Sequence, residues 1–119
     1  MTRFILFFCG LYIMTACSPH GIAKSINDIP SCLDATIKRM ASDPREGSPI
    51  SVTRYTYKEQ TVYYLISPCC DKFNVVYDSL CNIIGYPDGG YTGKGDGKMT
   101  DFHTQATDKK IIWEKNNRQ

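Results

Sequence analysis

Three patterns of apolar and polar residues follow one another along the chain. Residues 4–14 are almost all apolar, whereas residues 18–30 are mostly small or polar and show no sustained period. From Ser31 the apolar residues recur at helical spacing, and from Ile50 they alternate with polar residues as in strands. The pattern therefore predicts a leader over residues 1–16, a flexible tether over residues 17–30 and one small globular domain over residues 31–119.

The segment that begins at Ser31 predicts an amphipathic helix of about three turns. Its apolar residues share one face: Leu33, Ile37, Met40 and Ala41. Ser31 and Asp34 have the spacing of a capping-box-like pair, with Pro30 just outside the helix. Asp43-Pro44 ends the helix, because the residue before a proline is disfavoured in the helical conformation.

The segment from Ile50 predicts two hairpins. Their strands cover residues 50–55, 61–66, 73–77 and 82–86, with turns at Lys58-Glu59-Gln60 and Asp78-Ser79-Leu80. Neither the helix nor the sheet buries its apolar side alone, so we expect an α+β fold in which the helix packs on an antiparallel sheet of about four strands. Residues 110–114 fit either a fifth strand or a terminal helical turn.

The leader has the order of a bacterial secretion signal that ends in a lipobox. Arg3 precedes the apolar run, and Met14-Thr15-Ala16-Cys17 closes it. A helix over residues 4–16 would reach about 20 Å, short of the roughly 30 Å hydrocarbon core of a bilayer. We therefore expect Cys17 to be acylated as the mature N-terminus, which anchors a periplasm-facing domain to a membrane of the cell envelope; plain cleavage after Ala16 is the alternative.

Charge excludes one class of partner. The formal net charge is +2, and the basic residues are scattered along the chain. A protein that follows a phosphate backbone needs its basic residues clustered, so no nucleic-acid partner is expected. The lipid bilayer is the expected partner of Cys17, and a protein or a glycan is the expected partner of the domain.

Four cysteines remain after the leader is removed and Cys17 is acylated: Cys32, Cys69, Cys70 and Cys81. An even number in an exported domain predicts two disulfides. Adjacent cysteines pair with each other only through a strained ring, so we expect one of Cys69 and Cys70 to reach Cys32 and the other to reach Cys81, in either order. A zinc site is the alternative, but two separated C-x-x-C pairs are missing.

Residues 87–98 predict a loop that turns repeatedly. Five of the nine glycines lie there: Gly89, Gly90, Gly93, Gly95 and Gly97. The spacing matches neither a phosphate-binding P-loop nor an EF-hand. The loop is then either a tight structural connection or a ligand loop, and the weak candidates for a calcium site are Asp88, Asp96 and Asp101. No other cofactor is expected.

Several short motifs lie between Cys32 and Phe102: Tyr55-Thr56-Tyr57-Lys58, Thr61-Val62-Tyr63-Tyr64, Pro68-Cys69-Cys70-Asp71, Val76-Tyr77-Asp78, Pro87-Asp88-Gly89-Gly90, Gly93-Lys94-Gly95-Asp96-Gly97 and Asp101-Phe102. Together they resemble a group of small bacterial lipoproteins that carry an uncharacterised domain. The resemblance implies a lipoprotein and implies no activity. It also implies cysteines at the positions of Gly85 and Met99, and a turn glycine at the position of Cys81.

Catalysis is the weaker functional hypothesis. Any imidazole mechanism in the domain rests on His103, since His20 falls in the tether. Acid–base catalysis by carboxylates would require two of them to lie close together in the fold, such as Asp71 with Asp78 or Asp88 with Asp96.

Tyrosines suggest a binding face as the second hypothesis. By strand alternation Tyr55 and Tyr57 share a sheet face, while Tyr63 and Tyr64 lie on opposite faces, where they either bind a ligand or pack within the protein. We predict a non-catalytic binding or structural module of the envelope. The alternatives are a calcium-dependent module, a protease-inhibitor-like domain suggested only by a cystatin-like architecture, and a small hydrolase.

Overall fold

The structure, a computed structural model, describes residues 28–69 and 71–116, which form a five-stranded sheet and two helices. The elements in chain order are α1 (Ser31–Ser42), β1 (Ser51–Tyr57), β2 (Gln60–Ile66), β3 (Phe73–Tyr77), β4 (Ile83–Gly89), α2 (Phe102–Gln105) and β5 (Thr107–Glu114). The predicted leader, the lipidation site Cys17 and the predicted tether up to residue 27 lie outside the described residues. Cys70 also lies outside them.

The sheet is antiparallel, with the strand order β4-β3-β2-β1-β5. It has five strands where about four were expected, because residues 107–114 pair with β1. The strand alternative for the C-terminal segment is thus the correct one. Without β5 the β1 edge would expose unpaired backbone groups next to the core.

Both hairpins form where the sequence predicts them. Lys58 and Glu59 link β1 to β2 with φ values of 47° and 64°, as a two-residue type I′ turn requires, and Gln60 already belongs to β2. In the β3–β4 turn the backbone nitrogens of Leu80 and Asn82 each donate to Asp78 Oδ1 at 2.9 Å. Cys81 follows with a φ of 63°, a conformation that fits the turn glycine implied at this position by the resemblance.

The long helix α1 packs its apolar face on one side of the sheet. Leu33 and Ile37 are buried in a cluster with residues of β1 and β2. The capping-box prediction is wrong: Pro30 occupies the N-cap position and no side chain caps the helix. Ser31 already lies inside the first turn, and Asp34 instead pairs with Lys38 at 2.6 Å.

The opposite side of the sheet is covered as well. Residues 90–106 fold over it, and α2 inserts Phe102, which is fully buried. The second cluster comprises Tyr57, Val62, Tyr64, Val76, Met99 and Phe102. Four consecutive residues of β2 are buried because each side of the sheet has its own core.

The observed disulfide differs from the expected pairings. Cys32 is bonded to Cys81, with their Cα atoms 6.2 Å apart, so the expectation that Cys69 and Cys70 take these two partners is wrong. The physical reason is position: α1 starts over the end of the sheet that holds the β3–β4 turn, whereas Cys69 lies in the β2–β3 connection at the other end of β3. Cys69 is exposed there.

Among the described residues, neither helix has the length and apolar character needed to cross a bilayer.

Candidate functional site

The glycine-rich loop folds back on the edge strand β4. Gly95 N donates to Gly89 O at 3.1 Å, and Asp96 N donates to Tyr86 O at 3.0 Å. Lys94 forms an isolated parallel bridge with Gly89. Backbone hydrogen bonds to β4 therefore hold the loop in place, and its role as a ligand loop stays a prediction.

Close packing explains one of these glycines directly. An added Cβ at Gly95 would overlap the carbonyl oxygen of Tyr86 and would lie 2.7 Å from the backbone nitrogen of Asp88. Gly95 also has a φ of 64°, in the left-handed region. By contrast, no atom lies within 4 Å of an added Cβ at Gly93 or Gly97, so these two glycines border open space.

Asp88 lies near the end of β4, just before the loop, and its side chain belongs to a polar cluster on the α2 side of the sheet. Tyr64 Oη donates to Asp88 Oδ1 at 2.9 Å or Oδ2 at 2.8 Å, and Asn74 Nδ2 donates to Oδ1 at 2.5 Å. His103 Nε2 contacts Asp88 Oδ2. We call Tyr64, Asn74, Asp88 and His103 the Asp88 cluster.

Three adjacent strands and α2 bring the Asp88 cluster together. Tyr64 pairs in register with Val76 of β3, and Asn74 pairs with Asp88 of β4, so the strands supply three members side by side. The fourth member, His103, follows Phe102 in α2. The Phe102 ring lies 5.6 Å from the ring of Tyr64, and the His103 ring lies edge-on to Tyr64 at 5.7 Å.

Neighbouring groups fix the orientation of Asn74. The backbone nitrogen of Ser67 donates to Asn74 Oδ1 at 2.8 Å, which turns the amide nitrogen toward Asp88. The Ser67 hydroxyl in turn donates to the carbonyl oxygen of Phe73 at 2.6 Å. The β2–β3 connection therefore sets the geometry of the cluster.

Burial divides the cluster into a hidden part and an accessible part. Burial raises the pKa of Tyr64, and its hydrogen bond to Asp88 and the charge of that carboxylate raise it further, so the hydroxyl stays a proton donor. The Asp88 side chain is largely covered, whereas 52% of the His103 side chain is exposed. A ligand approaching this face would meet the imidazole edge, oriented by a carboxylate.

Among the described residues, the hydrogen-bond partner of the His103 ring is the Asp88 carboxylate and not a serine, threonine or cysteine side chain. In the described part of the chain, its ring contacts are Asp88, Tyr64 and Phe102. An activated nucleophile requires a base within hydrogen-bond reach. The arrangement presents a partly exposed imidazole that is held in place by the Asp88 carboxylate and can form hydrogen bonds with a ligand.

The three carboxylates considered for calcium have separate partners. Asp101 accepts a hydrogen bond from Tyr57 Oη at 2.7 Å, which is the main cause that lowers the pKa of Asp101, and Lys58 Nζ lies 3.6 Å away. Asp96 accepts a bond from the backbone nitrogen of Lys98 at 2.9 Å. No group of three or more His, Cys, Asp or Glu side chains able to hold a metal ion occurs within residues 28–69 and 71–116. Calcium binding stays a prediction.

Other sequence candidates are also separated. Asp78 caps the β3–β4 turn, while Asp71 is exposed at the opposite end of β3, so this carboxylate pair does not converge. The tyrosines follow the predicted alternation: Tyr55, Tyr57 and Tyr64 pack toward Phe102, and Tyr63 packs in the cluster under α1. They serve the two cores and do not form an exposed stacking surface.

Two positions singled out by the resemblance are in contact. An added Cβ at Gly85 would lie 2.6 Å from the sulfur of Met99. The positions where the resemblance implies cysteines are thus neighbours across β4 and the loop. Here the methionine side chain occupies the space left by the glycine.

Sequence reasoning found part of the site. It singled out Asp88 in the loop and His103 as the histidine of the domain, but it gave Asn74 no role. The signal for Asn74 lies in the strand register, which pairs it with Asp88. That pairing places a polar pair beside Tyr64 on the α2 side of the sheet.

An open depression adjoins the cluster at the end of the sheet remote from the β3–β4 turn. Asn74 lines both. The other lining residues are Ile50, Ile66, Ser67, Pro68, Cys69, Lys72 and Gly89. Lys72 Nζ is held there by the carbonyl oxygens of Glu46 and Arg45, at 2.6 and 3.1 Å.

Comparison with known proteins identifies a family without a known activity. Neither the curated proteins nor the solved structures contain a match to this chain. The family model described as a domain of unknown function (DUF6970) matches residues 38–115, which include all five strands and the whole Asp88 cluster. Because this match covers more than half of the chain, the protein belongs to the family of this domain of unknown function.

Proposed function

We propose that the protein is a lipid-anchored lipoprotein of the bacterial envelope whose domain faces the periplasm and binds a partner without catalysis. The observation that carries the proposal is the combination of Met14-Thr15-Ala16-Cys17 with a Cys32–Cys81 disulfide in the domain behind it. Disulfides persist in oxidising compartments such as the periplasm and are rare in the cytosol. The leader and the disulfide therefore support the same location.

The Asp88 cluster supports binding over catalysis. Tyr64, Asn74 and His103 all direct their polar atoms at one carboxylate, so this network is largely satisfied within the protein. The exposed part of His103 leaves one polar edge on the surface for a partner. A protein or a glycan of the envelope is the partner class that we propose.

Acylation is tested by labelling. The full chain is produced in a bacterium that processes lipoproteins and is fed a palmitate analogue, alongside the variants Cys17→Ser and Cys9→Ser. We expect label on the wild type and on the Cys9→Ser control, but none on Cys17→Ser. An unlabelled wild type, or equal label on Cys17→Ser, would overturn the lipid anchor.

Binding is tested with the mature protein and isolated envelope fractions. Chemical cross-linking should give an adduct with a specific envelope component that is lost in His103→Ala. The matched control is Lys98→Ala, an exposed change away from the cluster that should retain the adduct. Adducts that persist unchanged in His103→Ala would contradict a binding role for this face.

A further inference from the structure

One end of the sheet carries both hairpin turns and, through a disulfide, the start of α1. Tyr57 pairs with Gln60, Thr56 pairs with Thr107, and Ser79 Oγ donates to Thr61 O at 3.4 Å. The β1–β2 turn, the β3–β4 turn and the beginning of β5 therefore lie together. We call residues 58–59, 79–81 and 107–109 the turn end.

The helix α1 begins beside this end. Asp28, the first described residue, pairs with Lys110 and lies 3.6 Å from Arg54. Cys32, four residues later, is bonded to Cys81 in the β3–β4 turn. Arg54 lies at the middle of β1, so the chain runs from beside the middle of the sheet at Asp28 to the turn end at Cys32.

Exposed apolar side chains lie at the same place. Leu80 is 81% exposed at the tip of the β3–β4 turn, and Ile83 at the start of β4 is 53% exposed. Asp78 holds the turn through three hydrogen bonds, and the disulfide at Cys81 ties it to α1, so the apolar tip is rigid. A rigid apolar tip loses little conformational entropy when it is buried.

Charge at the turn end is mixed. The cations Lys58 and Lys109 are exposed, and so are the anions Glu59 and Asp108. Attraction between net charges therefore does not favour a strongly charged macromolecule as the partner. Apolar contact is what this end offers.

The chain between Cys17 and Asp28 is short enough to keep the turn end near a bilayer. If Cys17 is acylated, as in the proposed function on which this inference rests, residues 18–27 separate the bilayer from Asp28 and can span at most about 35 Å. The tip is then held at a high local concentration next to lipid, so a weak apolar contact is enough to engage it.

We propose that the turn end faces the bilayer and that Leu80 and Ile83 insert at the boundary between headgroups and acyl chains. The opposite end of the sheet, with the glycine-rich loop and the open depression, then points into the periplasm. Lys58 in the β1–β2 turn and Lys109 in β5 lie farther along the same end of the sheet, where they reach phosphate groups.

Fluorescence quenching tests this orientation on the mature, full-length lipoprotein reconstituted in vesicles of phosphatidylethanolamine and phosphatidylglycerol. The natural Trp113 is replaced in all samples by Trp113→Phe, and the probe is introduced as Leu80→Trp. The matched control is Tyr91→Trp, because Tyr91 is 98% exposed in the glycine-rich loop at the other end. Lipids brominated on their acyl chains quench only tryptophans that reach them.

We expect blue-shifted emission and at least twofold quenching for Leu80→Trp, with none for Tyr91→Trp. An unquenched Leu80→Trp on protein whose intact mass shows an acylated Cys17 overturns the insertion and leaves the proposed function standing. A blue shift without quenching that depends on protein density would show a second copy as the occupant, which also overturns it. An unacylated Cys17 would overturn the proposed function and this inference together.

Discussion

The carboxylate of Asp88 is the residue on which the polar part of this structure depends. It lies on a mainly apolar side of the sheet and accepts hydrogen bonds from Tyr64 and Asn74, with His103 beside it. A largely covered carboxylate is costly without donors, and each donor here comes from a different element. The cluster therefore couples β2, β3, β4 and α2.

Replacing Asp88 by asparagine should destabilise the domain. Asp88→Asn replaces one of the two acceptor oxygens by an amide nitrogen and removes the charge that strengthens the remaining hydrogen bonds, so we expect a loss of about 1.5–3 kcal/mol in the free energy of unfolding. Urea denaturation measures it. The control Asp96→Asn keeps its acceptor for Lys98 N and should stay within about 0.5 kcal/mol of the wild type. Equal stability of the two variants would contradict the role of Asp88.

The raised pKa of Tyr64 leads us to expect that the domain loses stability at alkaline pH. Its pKa in the folded state lies above the ordinary value of 10.0, mainly because it is buried. The unfolded chain therefore releases this proton first, and the free energy of unfolding falls as the pH rises above about 10. Denaturation curves from pH 9 to about 11 should show a steeper fall for the wild type than for Tyr64→Phe. Parallel pH profiles for the two proteins would refute the assignment, because the raised pKa of Tyr77 contributes equally to both.

Substitution by alanine should lower the free energy of unfolding more at Gly95 than at Gly93. Gly95→Ala forces a side chain into the backbone of β4, so we expect a loss of at least about 2 kcal/mol. Gly93→Ala has a similar left-handed conformation with open space around it and should lose about 1 kcal/mol. Thermal unfolding compares the two. A loop that exists to hold a ligand, without packing on β4, would give equal losses.

At the scale of elements, the local patterns were sufficient for the helix and the hairpins. The apolar spacing of Leu33 and Ile37 and the proline after Asp43 predicted α1, and alternation predicted the first four strands. The local patterns did not predict how the elements pack against one another. The burial of Val62, Tyr63, Tyr64 and Leu65 in succession shows a sheet covered on both sides. Met99 and Phe102 are the buried residues that cover the second side.

The disulfide is the clearest case of information that lies outside local sequence. Which end of the sheet α1 starts from decides whether Cys32 meets Cys81 or Cys69. Sequence reasoning had no constraint on that direction, and it used only the strain of an adjacent pair. The candidate site was partly predictable for a similar reason: Asp88 and His103 are conspicuous as residues, whereas Asn74 becomes visible only through the strand register.

The disulfide assignment makes a direct prediction for mapping. Digestion of the oxidised, full-length protein should release a peptide pair linked through Cys32 and Cys81. Since the bond closes a loop with a sequence separation of 49, Cys32→Ala/Cys81→Ala should lose roughly 2–4 kcal/mol of stability in urea. A peptide that links Cys32 to Cys69 or Cys70 would contradict the assignment.

The whole molecule has two unlike ends. The turn end holds the start of α1 through the Cys32–Cys81 bond and carries the exposed Leu80, whereas the other end carries the glycine-rich loop and the open depression next to the Asp88 cluster. If Cys17 is acylated as we propose, the anchored domain presents the other end to the periplasm. The arrangement gives a structural reason why the polar site and the apolar tip occupy opposite ends of one sheet.

The intact mass of the mature protein, extracted from membranes without a reductant, tests the central claim most directly. We expect a chain that begins at an acylated Cys17 and contains the Cys32–Cys81 bond. A chain that still begins at Met1, with Cys17 unmodified and Cys32 and Cys81 as free thiols, would contradict both the anchoring and the location.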